Sequence, residues 1–195
     1  MVDILQDDIS KVIENSNIKT FGIIIYTDEN PNIVKLLRDE DNWKALSKAS
    51  GEKFFIFSIK PKKGYMEFPD SSPGVIQFLI PIWKEPDENK KLFEYLNIKD
   101  SRELPLFVVF TKVDEHLLYK SMPIDESDPY KALEQLRNIF YQIRDIADSI
   151  HSKYQEHEAQ VHDKIASVLQ KNNAWKKLKS IDNLVKLVKR YTTIF

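Results

Sequence analysis

The chain has 195 residues, of which 42% are apolar, 11% aromatic and 30% charged, with a net charge of −1 and no cysteine. This is the composition of a globular chain long enough for one sizeable core, not of a disordered one, and no apolar run approaches the roughly 18 residues of a membrane span. The absence of cysteine excludes disulfides, thiolate catalysis and cysteine-ligated zinc or iron–sulfur clusters.

The first ten residues, "MVDILQDDIS", carry Asp3, Asp7 and Asp8 and lack the basic start and apolar centre of a secretory signal. A cytoplasmic protein is therefore expected. Residues 3–15 place Ile4, Leu5, Ile9, Val12 and Ile13 near helical spacing. "FGIIIYT" (21–27) is an almost unbroken apolar run, the pattern of a strand buried on both faces. A polar turn, Glu29-Asn30-Pro31-Asn32, follows. Asn30 suits an N-cap, and Pro31 suits the first helical turn, where a missing N–H has no partner to lose. The helix continues through Ile33, Leu36, Leu37, Trp43, Leu46 and Ala49 to Gly51, with "RDEDN" (38–42) as a point of interruption.

"KFFIFSI" (53–59) predicts a second buried strand. Residues 61–86 are rich in turn signals ("KPKKG", "FPDSSPG") and enclose a strand candidate, "VIQFLI" (75–80). "DENKKLFEYLNI" (87–98) predicts a short helix with Leu92, Phe93 and Leu96 inward. "LPLFVVFTKVDEHLLYKSMPI" (104–124) predicts a hairpin turning at 112–115, and Asp128-Pro129 predicts a capped helix start. From there Leu133, Leu136, Phe140, Ile143, Ala147, Ile150 and Tyr154 alternate at spacings of three and four, a heptad-like seam. A helix unbroken to residue 170 would be on the order of 60 Å long. It must therefore break near "HSKYQEHEAQ" or project and pair. The seam makes a homodimer through residues 133–168 the expectation.

The last segment, 171–195, carries seven basic residues and one acid, leaving −7 on the rest of the chain. An amphipathic helix with Trp175, Leu178, Ile181, Leu184, Val185 and Val188 is expected there. Its lysines leave three readings open: a solvated outer face over an acidic body, a contact with an anionic membrane surface, or non-specific contact with nucleic-acid phosphates. No nucleic-acid-binding motif accompanies the third.

Motifs for other chemistry fail on spacing. In "HEAQVH", His157 and His162 are five residues apart, about 140° around a helix, whereas zinc-binding H-E-x-x-H needs them on one face. Glu158 and His162 are properly spaced but are only two groups, His116 is expected in a turn, and His151 is isolated. "DEDN" (39–42) and "DESD" (125–128) read as helix-start chemistry. The four glycines form no phosphate loop, and there is no G-x-S-x-G. No metal and no cofactor are expected.

The order strand, helix, strand, insertion, helix, hairpin, helix predicts an α/β fold with a mixed sheet flanked by helices. The turn Glu29-Asn30-Pro31-Asn32 after strand 21–27, the short helix in "NKKLFEYLNIKD" and the segment "ELPLFVVFTKVDEHLLYKS" together resemble the thioredoxin-like superfamily over residues 20–150. The resemblance implies residues 1–150 as a thioredoxin-like domain with an insertion at 61–86, followed by a helical extension, 151–195. It implies that Glu29 and Asn32 stand where the family has cysteines, and that Pro105 is cis and lies against this turn. It also implies a partner surface framed by Glu29, Asn30, Pro31, Asn32, Leu104 and Pro105, at which an extended peptide could align. Disulfide exchange is impossible without a thiolate, so the expected role is non-enzymatic protein–protein interaction or scaffolding with an unidentified partner. The alternative from the same resemblance is a glutathione-transferase-like binder or enzyme with Tyr26 or Thr27 as the activating hydroxyl.

Overall fold

The computed structural model describes residues 20–52, 54–68, 80–113, 116–151, 164–165, 167–168 and 176–177. The expected helix at 3–15, the run 75–79, the "HEAQVH" segment, the seam residue Tyr154 and nearly all of the basic last segment lie outside these residues, as does the side chain of Ile150.

The described chain is mixed α/β. Strand β1 (Thr20–Ile25) leads to helix α1 (Pro31–Arg38) and helix α2 (Glu40–Ser50), then to β2 (Phe54–Ile59). A short ribbon follows, β3 (Tyr65–Glu67) and β4 (Ile82–Lys84), and then α3 (Asp87–Leu96). The hairpin is β5 (Leu106–Val113) and β6 (His116–Pro123), and α4 runs Pro129–His151. The main sheet has the order β2-β1-β5-β6, extended beyond β6 by a two-residue strand, β7 (Lys176–Lys177). β1 and β2 are parallel; β5 is antiparallel to both β1 and β6.

Helices cover both faces of the sheet, which explains why β1 and β5 are apolar at nearly every position. On one face, Leu92, Phe93 and Leu96 of α3 pack on Phe21, Ile23, Ile25, Val108 and Phe110. The rings of Phe21 and Phe110 stack at 4.8 Å between centroids. On the other face α1, α2 and α4 bring Ile33, Leu36, Leu46, Ala49, Leu136, Phe140 and Ile143 onto Ile24, Phe54, Ile56, Phe107 and Val109. Phe140 sits 5.7 Å from Phe54 and 5.2 Å from Phe107, ring to ring. Gly22 in β1 makes this second layer possible. A Cβ there would stand 2.6 Å from Cε2 of Phe107 and 3.0 Å from Cδ1 of Ile56.

The interruption marked at 38–42 divides the expected helix into two. Asp39 is extended (φ −76°, ψ 117°), ends α1, and accepts from Asn42 N at 2.9 Å to cap α2. Gly51 closes α2 at φ +70°, a conformation that favours glycine. The expected start of α4 is found as drawn: Asp128 accepts from Tyr130 N and Lys131 N, with Pro129 at the first position. Strand β5 runs further than expected, since Lys112 and Val113 still belong to it.

The heptad-like seam has an intramolecular partner. Leu136, Phe140 and Ile143 are fully buried in this chain's own core, with Leu133 packed at its margin. Ile165, beyond the boundary drawn at 150, is buried in the same core. The expected last helix is corrected at Lys176–Lys177, which pair antiparallel with Leu118 and Tyr119. The outer edge of β6 offers unpaired backbone groups, and satisfying them outweighs local helical pattern at these two residues.

Candidate functional site

The loops that carry the expected site residues meet at one end of the sheet, where β1 and β2 finish and β5 begins. The turn after β1 is held from inside. Asn30 Oδ1 accepts from Thr27 N at 2.8 Å, Thr27 Oγ1 accepts from Glu29 N at 3.2 Å, and Asn30 N bonds Thr27 O at 3.1 Å. Asn30 occupies the N-cap position of α1, but its side chain makes no capping bond. It points inward and its Nδ2 donates to the carbonyl oxygen of Leu104 at 3.2 Å. The Leu104–Pro105 peptide is cis and lies against the turn, as the resemblance implied.

The capping function that Asn30 leaves open comes from Glu126, within the "DESD" segment read as helix-start chemistry but not as the cap of this helix. Glu126, in the loop between β6 and α4, accepts from Asn32 N through Oε1 at 2.9 Å, while Asn32 Nδ2 donates to the Glu126 carbonyl oxygen at 2.7 Å. A carboxylate at a helix N-terminus is favoured by the dipole and by orphan N–H groups. No local signal identifies this pair, because 94 residues separate its members. The site's outer rim is ionic: Lys60 pairs with Asp28 at 2.5 Å and Lys63 with Glu29 at 2.8 Å.

The six candidate partner-surface residues are therefore brought together but face different ways. Glu29 and Pro31 are exposed and Asn32 is half-buried, whereas Asn30, Leu104 and Pro105 are buried. The backbone of Leu104 is engaged within the chain, its N–H on Ser101 O at 3.3 Å and its carbonyl on Asn30. The phenol of Tyr26 is buried, and burial pushes it up to about 12, the opposite of what an activating hydroxyl needs. Thr27 is likewise buried and bonded within the turn. Among the described residues no group of three or more His, Asp or Glu side chains is placed to hold a metal ion, and no helix is long and apolar enough to cross a membrane.

A second feature adjoins the first. The β3–β4 ribbon stands on a buried polar base: Asn89 is fully buried, accepts from Lys62 N at 3.1 Å, and donates to Lys62 O and Glu85 Oε1. Glu85 Oε2 accepts from Ser101 N and Oγ, both at 2.9 Å, and Ser101 Oγ accepts from Gly64 N. Trp83 packs close over Gly64, and the Arg102 guanidinium lies 5.2 Å from its ring centroid. Above this base, Tyr65, Met66 and Ile82 are each more than half exposed, as are Phe68 and Ile80 at the ribbon's ends. In the sequence these residues lay in a segment read as a turn-rich insertion, with only Ile80 inside its strand candidate at 75–80. In comparison with known proteins, no family model, curated protein or solved structure matches the chain.

Proposed function

We propose that this chain is a redox-inactive, thioredoxin-like module for protein–protein interaction. Support for the fold comes from the strand order β2-β1-β5-β6 with β1 and β2 parallel, from α3 on one face and the other helices on the opposite one, and from the proline before β5 lying against the turn before α1. Thiol chemistry is excluded by composition. The interaction role rests on the ribbon. Five large apolar side chains are exposed on and beside the β3–β4 ribbon, with Tyr65 and Ile82 on one of its faces and Met66 on the other, and the base of the ribbon is fastened by buried hydrogen bonds. Large exposed apolar side chains gathered on one element mark a candidate contact site, and a base fastened by hydrogen bonds lowers the ordering cost of contact. The ribbon is a better contact surface than the Leu104–Pro105 backbone, whose hydrogen-bonding groups already have partners.

The test is affinity purification from the native host with the wild type and with a Tyr65→Ser/Met66→Ser/Ile82→Ser variant. Partners held by the wild type and lost by the variant, at unchanged unfolding midpoint, support the proposal. Identical partner sets from the two proteins overturn it.

A further inference from the structure

Among the described residues, Glu126 Oε2 is the only buried side-chain nitrogen or oxygen without a hydrogen-bond partner. Such atoms are rare in folded proteins, because an unpaired buried acceptor forfeits its hydration. This one belongs to a carboxyl whose other oxygen ties two distant segments together, the loop at 124–128 and the first turn of α1. One oxygen accepts from the Asn32 N–H and the other has no partner. The two halves of the carboxyl thus pull its protonation in opposite directions.

We infer that Glu126 is a proton-operated latch: its carboxyl fastens the 124–128 loop to the start of α1 more firmly when protonated than when ionised. The inference rests on the unpaired buried oxygen and the bonded one beside it, together with the direction in which burial shifts this carboxyl, and does not depend on the proposed function. The physical contest is between desolvation of the buried oxygen, which disfavours charge, and the N–H groups of Asn32 and Ile33, which favour it; desolvation is the larger, and the carboxyl is held above the ordinary glutamate range. The carboxylates on the surrounding elements have their own partners. In the turn, Asp28 pairs with Lys60 and Glu29 with Lys63. In the loop, Asp125 accepts from Ser127 N, and at the start of α4 Asp128 accepts from Tyr130 N and from the backbone of Lys131. Lys35 lies one turn along α1. None of these charges is a cause of the Glu126 shift, which is a matter of burial and backbone bonds.

The sign follows from linkage. The closed latch binds a proton more tightly than an opened, hydrated Glu126, so closure is fully supported below the ordinary glutamate range. That support is lost as pH rises through the closed-state value. The experiment is amide hydrogen exchange at Asn32 and Ile33 across this range, corrected for intrinsic exchange, in the wild type and in Glu126→Gln. Protection in the wild type is expected to fall with rising pH, by at most about tenfold per unit for one proton, and to be flat in E126Q. A wild-type profile that is flat or rises with pH, or an E126Q profile with the wild-type slope, overturns the inference. A carbon-13 titration of the Glu126 carboxyl in the wild type supplies an independent check. A midpoint at or below that of ordinary glutamate also overturns it.

Discussion

The side-chain amide of Asn30 donates to the carbonyl oxygen of Leu104 at 3.2 Å, across 74 residues of chain. This bond makes Asn30 a tether between the β1–α1 turn and the entry to β5, where its position alone suggests a helix cap. The two roles predict different mutants. Asn30→Ala removes both the donor to Leu104 and the acceptor for Thr27 N, leaving two buried groups unpaired, and is expected to cost about 2–4 kcal/mol in urea unfolding. Asn30→Ser would nearly restore a simple cap. Here serine is too short to span to Leu104, and its stability is expected to stay close to that of the alanine variant. Full recovery with serine would assign Asn30 to capping.

Gly22 tests the packing of the sheet against α4. Gly22→Ala puts a methyl group against the Phe107 ring and Ile56, and overpacking of this kind costs about 1–3 kcal/mol. If the Phe107 ring is the obstacle, Phe107→Leu should be less harmful in the Gly22→Ala background than alone. Additive free energies in the double-mutant cycle would show that the clash is relieved elsewhere.

Phe140 separates a core role from a dimer role. It is fully buried between Phe54 and Phe107, so Phe140→Ala is expected to lose about 3–5 kcal/mol. The loss should be the same at low and high protein concentration. An unfolding midpoint that moves with concentration in the wild type, and no longer does in the variant, would instead place Phe140 in a subunit contact.

Tyr26 provides a pH signature. Its phenol is pushed up to about 12 by burial, with the Arg38 charge opposing and Asp28 adding to the rise. An unfolded tyrosine ionises near 10. The folded state therefore keeps this proton while the unfolded state releases it, and stability is expected to decline from about pH 10 upward through the folded value. Tyr26→Phe should remove that share of the decline and the latest-titrating phenolate absorbance. Survival of that late phenolate signal in the variant would assign it to a different tyrosine.

Asn89 tests whether the ribbon is held as a rigid unit. Asn89→Ala removes its bonds to both Lys62 backbone groups and to Glu85, at an expected cost of about 2–4 kcal/mol. Limited proteolysis should then cut within 60–86 before any cut in the main sheet. A cleavage pattern unchanged from the wild type would mean that Trp83 and Ser101 suffice to fasten the ribbon.

Much of the framework was legible because its causes are local. The apolar runs at 21–25, 54–59 and 106–110 have to be buried on two faces. The spacing of Leu92, Phe93 and Leu96 makes one helical stripe, and Asp128-Pro129 supplies a cap and a first-turn proline. Each statement concerns neighbours within a few residues, where steric and hydrogen-bonding preferences act directly. The break at Asp39 was half legible: "RDEDN" marked the place, but the cap that makes two helices there is a single side-chain bond to Asn42 N.

The sequence by itself determined the mixed α/β character, the absence of thiol chemistry and the elements that border the site. Only the tertiary structure decided what those elements do to one another. It turned the Asn30 amide from cap to tether, brought Glu126 to the helix start in its place, and buried Leu136, Phe140 and Ile143 of the seam in the chain's own core. It also paired Lys176–Lys177 with an open strand edge and raised the apolar ribbon above its polar base. The reason is common to all five. A periodic pattern states that a face must be covered, and a polar side chain states that it must be bonded, but neither names the partner. When that partner lies 74 or 94 residues away, the choice is made by which groups the fold leaves unsatisfied nearby, a quantity that exists only once the chain has packed.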